Sequence, residues 1–180
     1  MDTRTIQPNV THKVLAQLEE MGKLTAVVTQ NIDGLHQLAG SKNVFEIHGT
    51  TKENYCTICG KRYDADYIFE STEKIPRCDC TPTRKGMIRP NVTMYGEDLP
   101  NEAVVGALKA IREADMLIIA GTSLSVYPAA NYIYDFTGDY MVVINRDKLN
   151  IMLGPNDIEI NDSLGSVFGE LEKMLKEDEK

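Results

Sequence analysis

The chain has 180 residues, 42% of them hydrophobic and 26% charged, and a formal net charge of -8 at pH 7. That size and balance suit one ordinary globular domain with room for a small insert, whose core needs no disulfides. The acidity disfavours both the phosphate backbone of nucleic acid as the main partner and anionic membranes.

The first periodic segment is 9–21. Val10, Val14, Leu15, Leu18 and Met21 share one helical face, Asn9 stands where a cap belongs, and Gly22 where a helix ends. His12 is expected on the surface of that helix, without a role. LTAVVTQ at 24–30 is a short β-branched run of the kind found in buried parallel strands. MLIIAGT at 116–122 and YMVVIN at 140–145 read the same way. Val104, Leu108 and Ile111 mark a helix that Pro100 and Asn101 start, and Leu164, Val167, Phe168, Leu171, Met174 and Leu175 mark a last one. The tail from Lys176 is expected to fray. No apolar run approaches the roughly 20 residues of a membrane span. No hydrophobic leader opens the chain, so a cytoplasmic protein without a membrane partner is expected.

Apolar strands alternating with helices predict an α/β fold with a doubly wound parallel sheet. Ligands of such sheets bind beyond the carboxyl ends of the strands. The three runs are followed by polar stretches, TQNIDG, GTSLS and NRD, although βα loops are polar in any case. Residues 50–86 interrupt the pattern and read as an inserted module, leaving 1–49 and 87–180 as the main domain.

That module holds all four cysteines. Cys56 and Cys59 form a C-x-x-C pair, Cys78 and Cys80 a C-x-C pair, with eighteen residues between the pairs. Two tight turns that each offer two thiolates are a tetrahedral donor set for one Zn2+. Two disulfides or a redox pair are the alternatives; the first does not suit an intracellular chain, and the second has no use for a second pair. Four cysteines leave no coordination position for water, so the metal is expected to be structural.

Three histidines are candidates for chemistry. His36, in NIDGLHQLAG, reads as packing or loop support. His48, in EIHGT, lies just before the module and beside Gly49, and its side chain type suits general base work near neutral pH. On the residues alone, a catalytic and a structural His48 are equally open.

The order of motifs decides more. TQNIDGLHQLAG at 29–40, EIHGT at 46–50, the C-x-x-C and C-x-C pairs, IRPNVTMYGEDLP at 88–100, AGTSLSVYPAA at 120–130 and VIN at 143–145 follow one another as in the sirtuins. The chain resembles that family of NAD-dependent protein-lysine deacylases over most of its length. The resemblance implies a Rossmann-like sheet with an inserted zinc module. It implies that Gln30, Asn31 and Asp33 hold the nicotinamide amide and its ribose, that Ile32 walls the nicotinamide pocket, and that His48 is the general base, with Asn31 and Asp33 completing the catalytic set. Gly121, Thr122 and Ser123, read as ending a strand and opening a helix, would contact the cofactor. Asn145 would bind the adenosine ribose, and Asp162 and Ser163 would lie near the adenine. An acylated lysine peptide or protein would be the partner. Its main chain would pair with Val92 and Gly96–Glu97 as an added strand, with Val92 and Tyr95 flanking an apolar tunnel. The implied reaction consumes NAD and yields nicotinamide, acylated ADP-ribose and free lysine.

The sequence departs from the family in three places. Tyr95 stands where most members have phenylalanine, and Thr93 where most have valine. The strand, Gly-rich GAGxS turn and Arg-bearing loop that open a complete sirtuin are not in this sequence. An open sheet edge and exposed apolar surface are therefore expected. Two further readings follow: a noncatalytic sirtuin fragment that binds nucleotide or peptide on a zinc-stabilised scaffold, and a zinc-ribbon nucleic-acid module supported only by Lys61–Arg62 and Arg84–Lys85.

Overall fold

The computed structural model describes residues 5–178 except residue 82, and for residue 178 only the backbone. The first helix, α1 (Val10–Glu20), is closed at its start by a capping box. Asn9 Oδ1 accepts the His12 N–H at 3.3 Å, and His12 Nδ1 lies 3.3 Å from the Asn9 nitrogen. Histidine here takes the position that glutamate fills in most such boxes. His12 is therefore not a surface residue: it is buried, because α2 (Leu35–Ala39) packs on that side of the helix. Helix α1 ends at Gly22 with φ +70°, where the Lys23 and Leu24 N–H groups both donate to the Leu18 carbonyl. Leu24 is thus still bonded to the helix end. Strand β1 is accordingly only Val27–Thr29, shorter than the apolar run around it.

β1 pairs in parallel with β2 (Val44–Glu46), Val27 opposite Val44. A second parallel sheet has the order β7-β8-β9, with β7 (Met116–Ala120), β8 (Tyr140–Ile144) and β9 (Ile158–Ile160). Between the two parallel sheets in sequence lies an antiparallel one, ordered β4-β3-β6-β5. It is made of β3 (Gly49–Cys56), β4 (Arg62–Asp64), β5 (Arg77–Cys78) and β6 (Gly86–Val92), with α3 (Ala65–Phe69) beside it. β1 and β7 each pair with one neighbour among the described residues. The expected single parallel sheet is therefore present as two pieces, each with an open edge.

Strands β7 and β8 are apolar on both faces because both faces are covered. Ile118, Val142 and Ile144 point towards Val14, Phe168 and Leu175 of α1 and α5 (Leu164–Asp178). Leu117, Ile119, Met141 and Val143 point the other way, towards Leu149 and Ile133. This is the period-two alternation of a strand with two dry faces. Helix α4 (Asn101–Glu113) covers the smaller sheet, where Ala107 packs with Ile47, Phe45 and Val28. Helix α5 continues through residues 176–178, which the sequence reading had as a frayed tail. Among the described residues no helix is long and apolar enough to cross a membrane.

Phe168 is 1% exposed at the centre of the α1–α5 packing. Phe168→Ala is expected to destabilise the chain by about 3–5 kcal/mol, the usual range for emptying a large aromatic site. A urea titration followed by circular dichroism reads the shift.

Candidate functional site

The loop after β1 is held by its own side chains. Thr29 Oγ1 accepts the Asn31 N–H at 3.0 Å. The Ile32 carbonyl accepts both the backbone N–H and the hydroxyl of Thr51, each at 3.0 Å, which ties the loop to β3. Asp33 Oδ1 accepts the Leu35 N–H at 3.0 Å and so caps the first turn of α2. Gly34 between them has φ +69°, and a Cβ there would meet Lys52 Cε at 2.8 Å. The left-handed backbone is what favours glycine there, since the Lys52 side chain can swing aside.

His48 follows β2 and is half-buried. Its Nδ1 lies 3.2 Å from the Gln30 carbonyl. A carbonyl only accepts, so this bond places the proton on Nδ1 and leaves Nε2 with a free lone pair. On its other side the His48 carbonyl accepts the Thr93 N–H at 2.9 Å. One residue therefore joins the loop after β1 to the segment after β6. Gly49 makes this possible. Its φ is +77°, and a Cβ would collide with the Asn91 carbonyl of the paired strand. Glu46, two residues before His48, is half-buried, and burial raises its pKa against hydrogen bonds from Thr50 and Gln37 that lower it. The sequence reading overlooked Glu46, Thr29 and Thr51. An acid and two threonines flanking the candidate loop and histidine were the available signal.

Behind the loop, His36 of α2 is buried with its ring centroid 4.7 Å from that of His12. Burial is the main cause that lowers both pKa values from 6.5; the neighbouring His12 lowers His36 further, and Asp33 opposes the shift at both. Both imidazoles are thus favoured as neutral in the folded chain. The unfolded chain takes up protons first as the pH drops, so this stabilisation is full above pH 6.5 and declines as the pH falls below it. The urea midpoint is expected to drop between pH 7.5 and pH 5.5, and His36→Phe to flatten that dependence.

The other expected site residues form a second cluster at the carboxyl ends of β7, β8 and β9. Gly121 has φ +59° and donates its N–H to the Ile144 carbonyl at 3.0 Å; a Cβ on it would meet Leu164 Cδ1 at 2.9 Å. Thr122 Oγ1 accepts the Leu124 N–H, and Ser123 Oγ lies 2.6 Å from Ser125 Oγ. The GTS stretch does not open a helix as expected. Leu124 is left-handed, and a 3-10 helix begins only at Ala129. Asn145 follows β8 and donates its side-chain amide to the Asp147 carbonyl. Ser163 Oγ accepts the Ser166 N–H in the first turn of α5, and Asp162 Oδ1 accepts the Ser163 N–H.

The segment after β6 turns at Gly96, φ +86°, where the Glu97 N–H donates to the Met94 carbonyl at 3.0 Å. Val92 is half-buried, but Tyr95 is fully exposed at the tip of the turn. The ring of Tyr95 thus stands in solvent at the tip of the turn. Two surface hollows, one of about 200 Å3 beside Glu53, Arg62 and Asn91 and one of about 290 Å3 between Gln17 and Lys42, include none of the expected site residues.

Cys56, Cys59, Cys78 and Cys80 converge, with all four sulfurs within 4.8 Å of one another. Sγ–Sγ distances are 3.8 Å for Cys56–Cys80 and 3.7 Å for Cys59–Cys78. A tetrahedron with metal–sulfur bonds of about 2.3 Å has edges of about 3.8 Å, so the donor set fits one tetrahedral metal ion. Gly86 is part of the cradle, since a Cβ there would strike Cys56 Sγ. Backbone N–H groups of Cys59 and Ile58 lower the Cys56 thiol to about 6, against the effect of burial.

Comparison with known proteins places this geometry in context. The model of the Sir2 family matches residues 1–128. An NAD-dependent protein deacetylase of Clostridium acetobutylicum is 48% identical over 162 residues, covering 90% of this chain and 64% of the relative. One from Clostridium perfringens is 50% identical over 166 residues, covering 92% and 66%. The chain thus spans about two thirds of the length of these relatives. Among solved structures, a Sir2 protein with a p53 peptide and NAD+ superposes with a TM-score of 0.84 at 35% identity, covering 96% of this chain and 72% of that one. A structure from a study of sirtuin substrate affinity gives 0.85 at 36% identity, covering 96% and 74%. The chain belongs to the Sir2 family.

Proposed function

We propose that this chain carries the base and the peptide-binding segment of an NAD-dependent protein-lysine deacetylase. The observation that carries the proposal is the position of His48, bonded on one side to the Gln30 carbonyl and on the other to the Thr93 N–H. Its Nε2 is then free to take a proton from a group held between the two segments. NAD, when bound, supplies a ribose carbon from which nicotinamide leaves.

The chain's residues divide the remaining tasks. Gln30, Asn31 and Asp33 offer amide and carboxylate groups to the nicotinamide amide and the ribose hydroxyls, and Ile32 gives an apolar wall. His48 takes the proton of a ribose hydroxyl. Gly121, Thr122, Ser123, Asn145, Asp162 and Ser163, at the carboxyl ends of their strands, receive the adenosine part, where ligands of such sheets bind. Val92, Gly96 and Glu97 present main chain to an extended acyl-lysine peptide. The solved Sir2 proteins that hold a p53 peptide with NAD+, or an acetylated peptide, support this assignment of ligands. The four cysteines would hold one structural Zn2+, with 50–86 as its module and 1–49 with 87–180 as the nucleotide-binding part.

The test is direct. The purified chain is incubated with NAD and an acetyl-lysine peptide, and nicotinamide and deacetylated peptide are measured. Release that depends on the peptide is expected. No release above a peptide-free control would reject the catalytic reading in favour of a binding fragment.

A further inference from the structure

The turn at 92–97 has almost no apolar packing of its own: Met94, Tyr95, Gly96 and Glu97 are all exposed. Its shape is held instead by one charged pair. Arg89, on β6, directs both guanidinium nitrogens at the Glu97 carboxylate, Nη1 to Oε1 at 2.6 Å and Nη2 to Oε2 at 2.9 Å. Each partner also grips the main chain between them. Arg89 Nη2 donates to the Val92 carbonyl at 3.0 Å, and Glu97 Oε2 accepts the Met94 N–H at 3.0 Å. The guanidinium is in turn backed by the Tyr55 ring, 5.9 Å from its centroid, on the paired strand β3.

This geometry differs from an ordinary surface ion pair. The Arg89 side chain is 24% exposed and that of Glu97 42%, so both are partly screened from water. The fork-on-fork arrangement fixes direction as well as distance, which a lysine in place of Arg89 could not do. Hydrogen bonds from Arg89 and the Met94 N–H hold the Glu97 carboxyl at about 2, so the pair stays charged across the neutral range. The carbonyl and N–H that the pair captures flank Thr93, whose own N–H is bonded to the His48 carbonyl.

We propose that Arg89 and Glu97 are positioning residues that set the main-chain shape of Val92–Glu97 for pairing with the peptide substrate. This rests on the peptide-binding assignment made above. Neither side chain touches the reacting atoms, and the role of Glu97 is through its carboxylate as well as its backbone.

The test compares wild type, Glu97→Gln, Arg89→Met and the exchanged pair Arg89→Glu with Glu97→Arg. A labelled acetyl-lysine peptide is titrated into each, and hydrogen exchange is measured at the amides of 93–97. The single variants are expected to bind the peptide about tenfold more weakly, the loss of a charge-assisted pair. Exchange is expected to speed up at 93–97 alone, with the thermal midpoint little changed. The exchanged pair restores the attraction but neither main-chain bond, so it is expected to recover neither loss, and full recovery would overturn the positioning role. Unchanged peptide affinity or unchanged loop exchange in Glu97→Gln overturns the positioning role while the peptide site stands. A wild-type chain that binds no peptide removes the peptide site itself and the role with it.

Discussion

His48→Ala is expected to lower turnover of NAD with an acetyl-lysine peptide by about a hundredfold or more. General base catalysis by a positioned histidine contributes about 10²–10⁴-fold, and no other imidazole can substitute: His12 and His36 are buried against each other behind the loop. The loss should be one of chemistry rather than folding. His48 is half-buried and belongs to none of the hydrophobic clusters. Among the described residues its side chain bonds to the Gln30 carbonyl, and removing such a bond costs about 1 kcal/mol. Steady-state kinetics with a circular dichroism melt separates the two effects. A variant that keeps wild-type turnover would show that the base lies elsewhere, and one that fails to fold would show that His48 supports structure.

Metal removal is expected to have the largest effect on stability, confined to one part of the chain. The core of the antiparallel sheet consists of Cys56, Cys78 and Ile88, joined by Tyr63, Ile68 and Cys80. Three of these six side chains are metal-ligand candidates, so little apolar packing remains once the thiols are unbound. Structural Zn2+ contributes about 10–16 kcal/mol in zinc-finger peptides, comparable to the whole stability of a typical domain. Chelation, or Cys78→Ala, should therefore unfold β3–β6 and release the attached 92–97 segment. The α1–α5 packing on β7–β9 is a separate cluster and should persist. Metal analysis is expected to give one Zn2+ per chain, and hydrogen exchange after chelation should show protection lost across 49–97 only. Full protection without metal would contradict the structural role. Gly86→Ala offers a second route to the same result, because its methyl group would displace Cys56 Sγ.

The parts legible in the sequence were those where one physical requirement governs neighbouring residues. The runs at 116–120 and 140–144 are apolar throughout because both their faces are dry, and Val10–Glu20 carries its cap and its stop signal beside it. The strands β3 and β6 were not legible. GTTKENYC is mostly polar, and the register shifts between Thr50 and Asn54, so no period of two survives. β9 and α2 are too short, at three and five residues, to show any period.

The sequence by itself determined the family, the four-sulfur donor set and the identity of the candidate base, because motif order and thiol spacing are properties of the chain alone. Tertiary structure decided what surrounds them. His12 became a buried partner of His36 because α2 folds onto α1, which helical periodicity cannot express. Tyr95 lies in solvent because the turn at Gly96 is held by an ion pair reaching back to Arg89. His48 meets Gln30, eighteen residues earlier in the chain, and Thr93, just past the end of β6, only because two different sheets end at the same point. Contacts of that kind depend on which strands pair, and pairing is decided by burial across the whole fold rather than by any local run of residues.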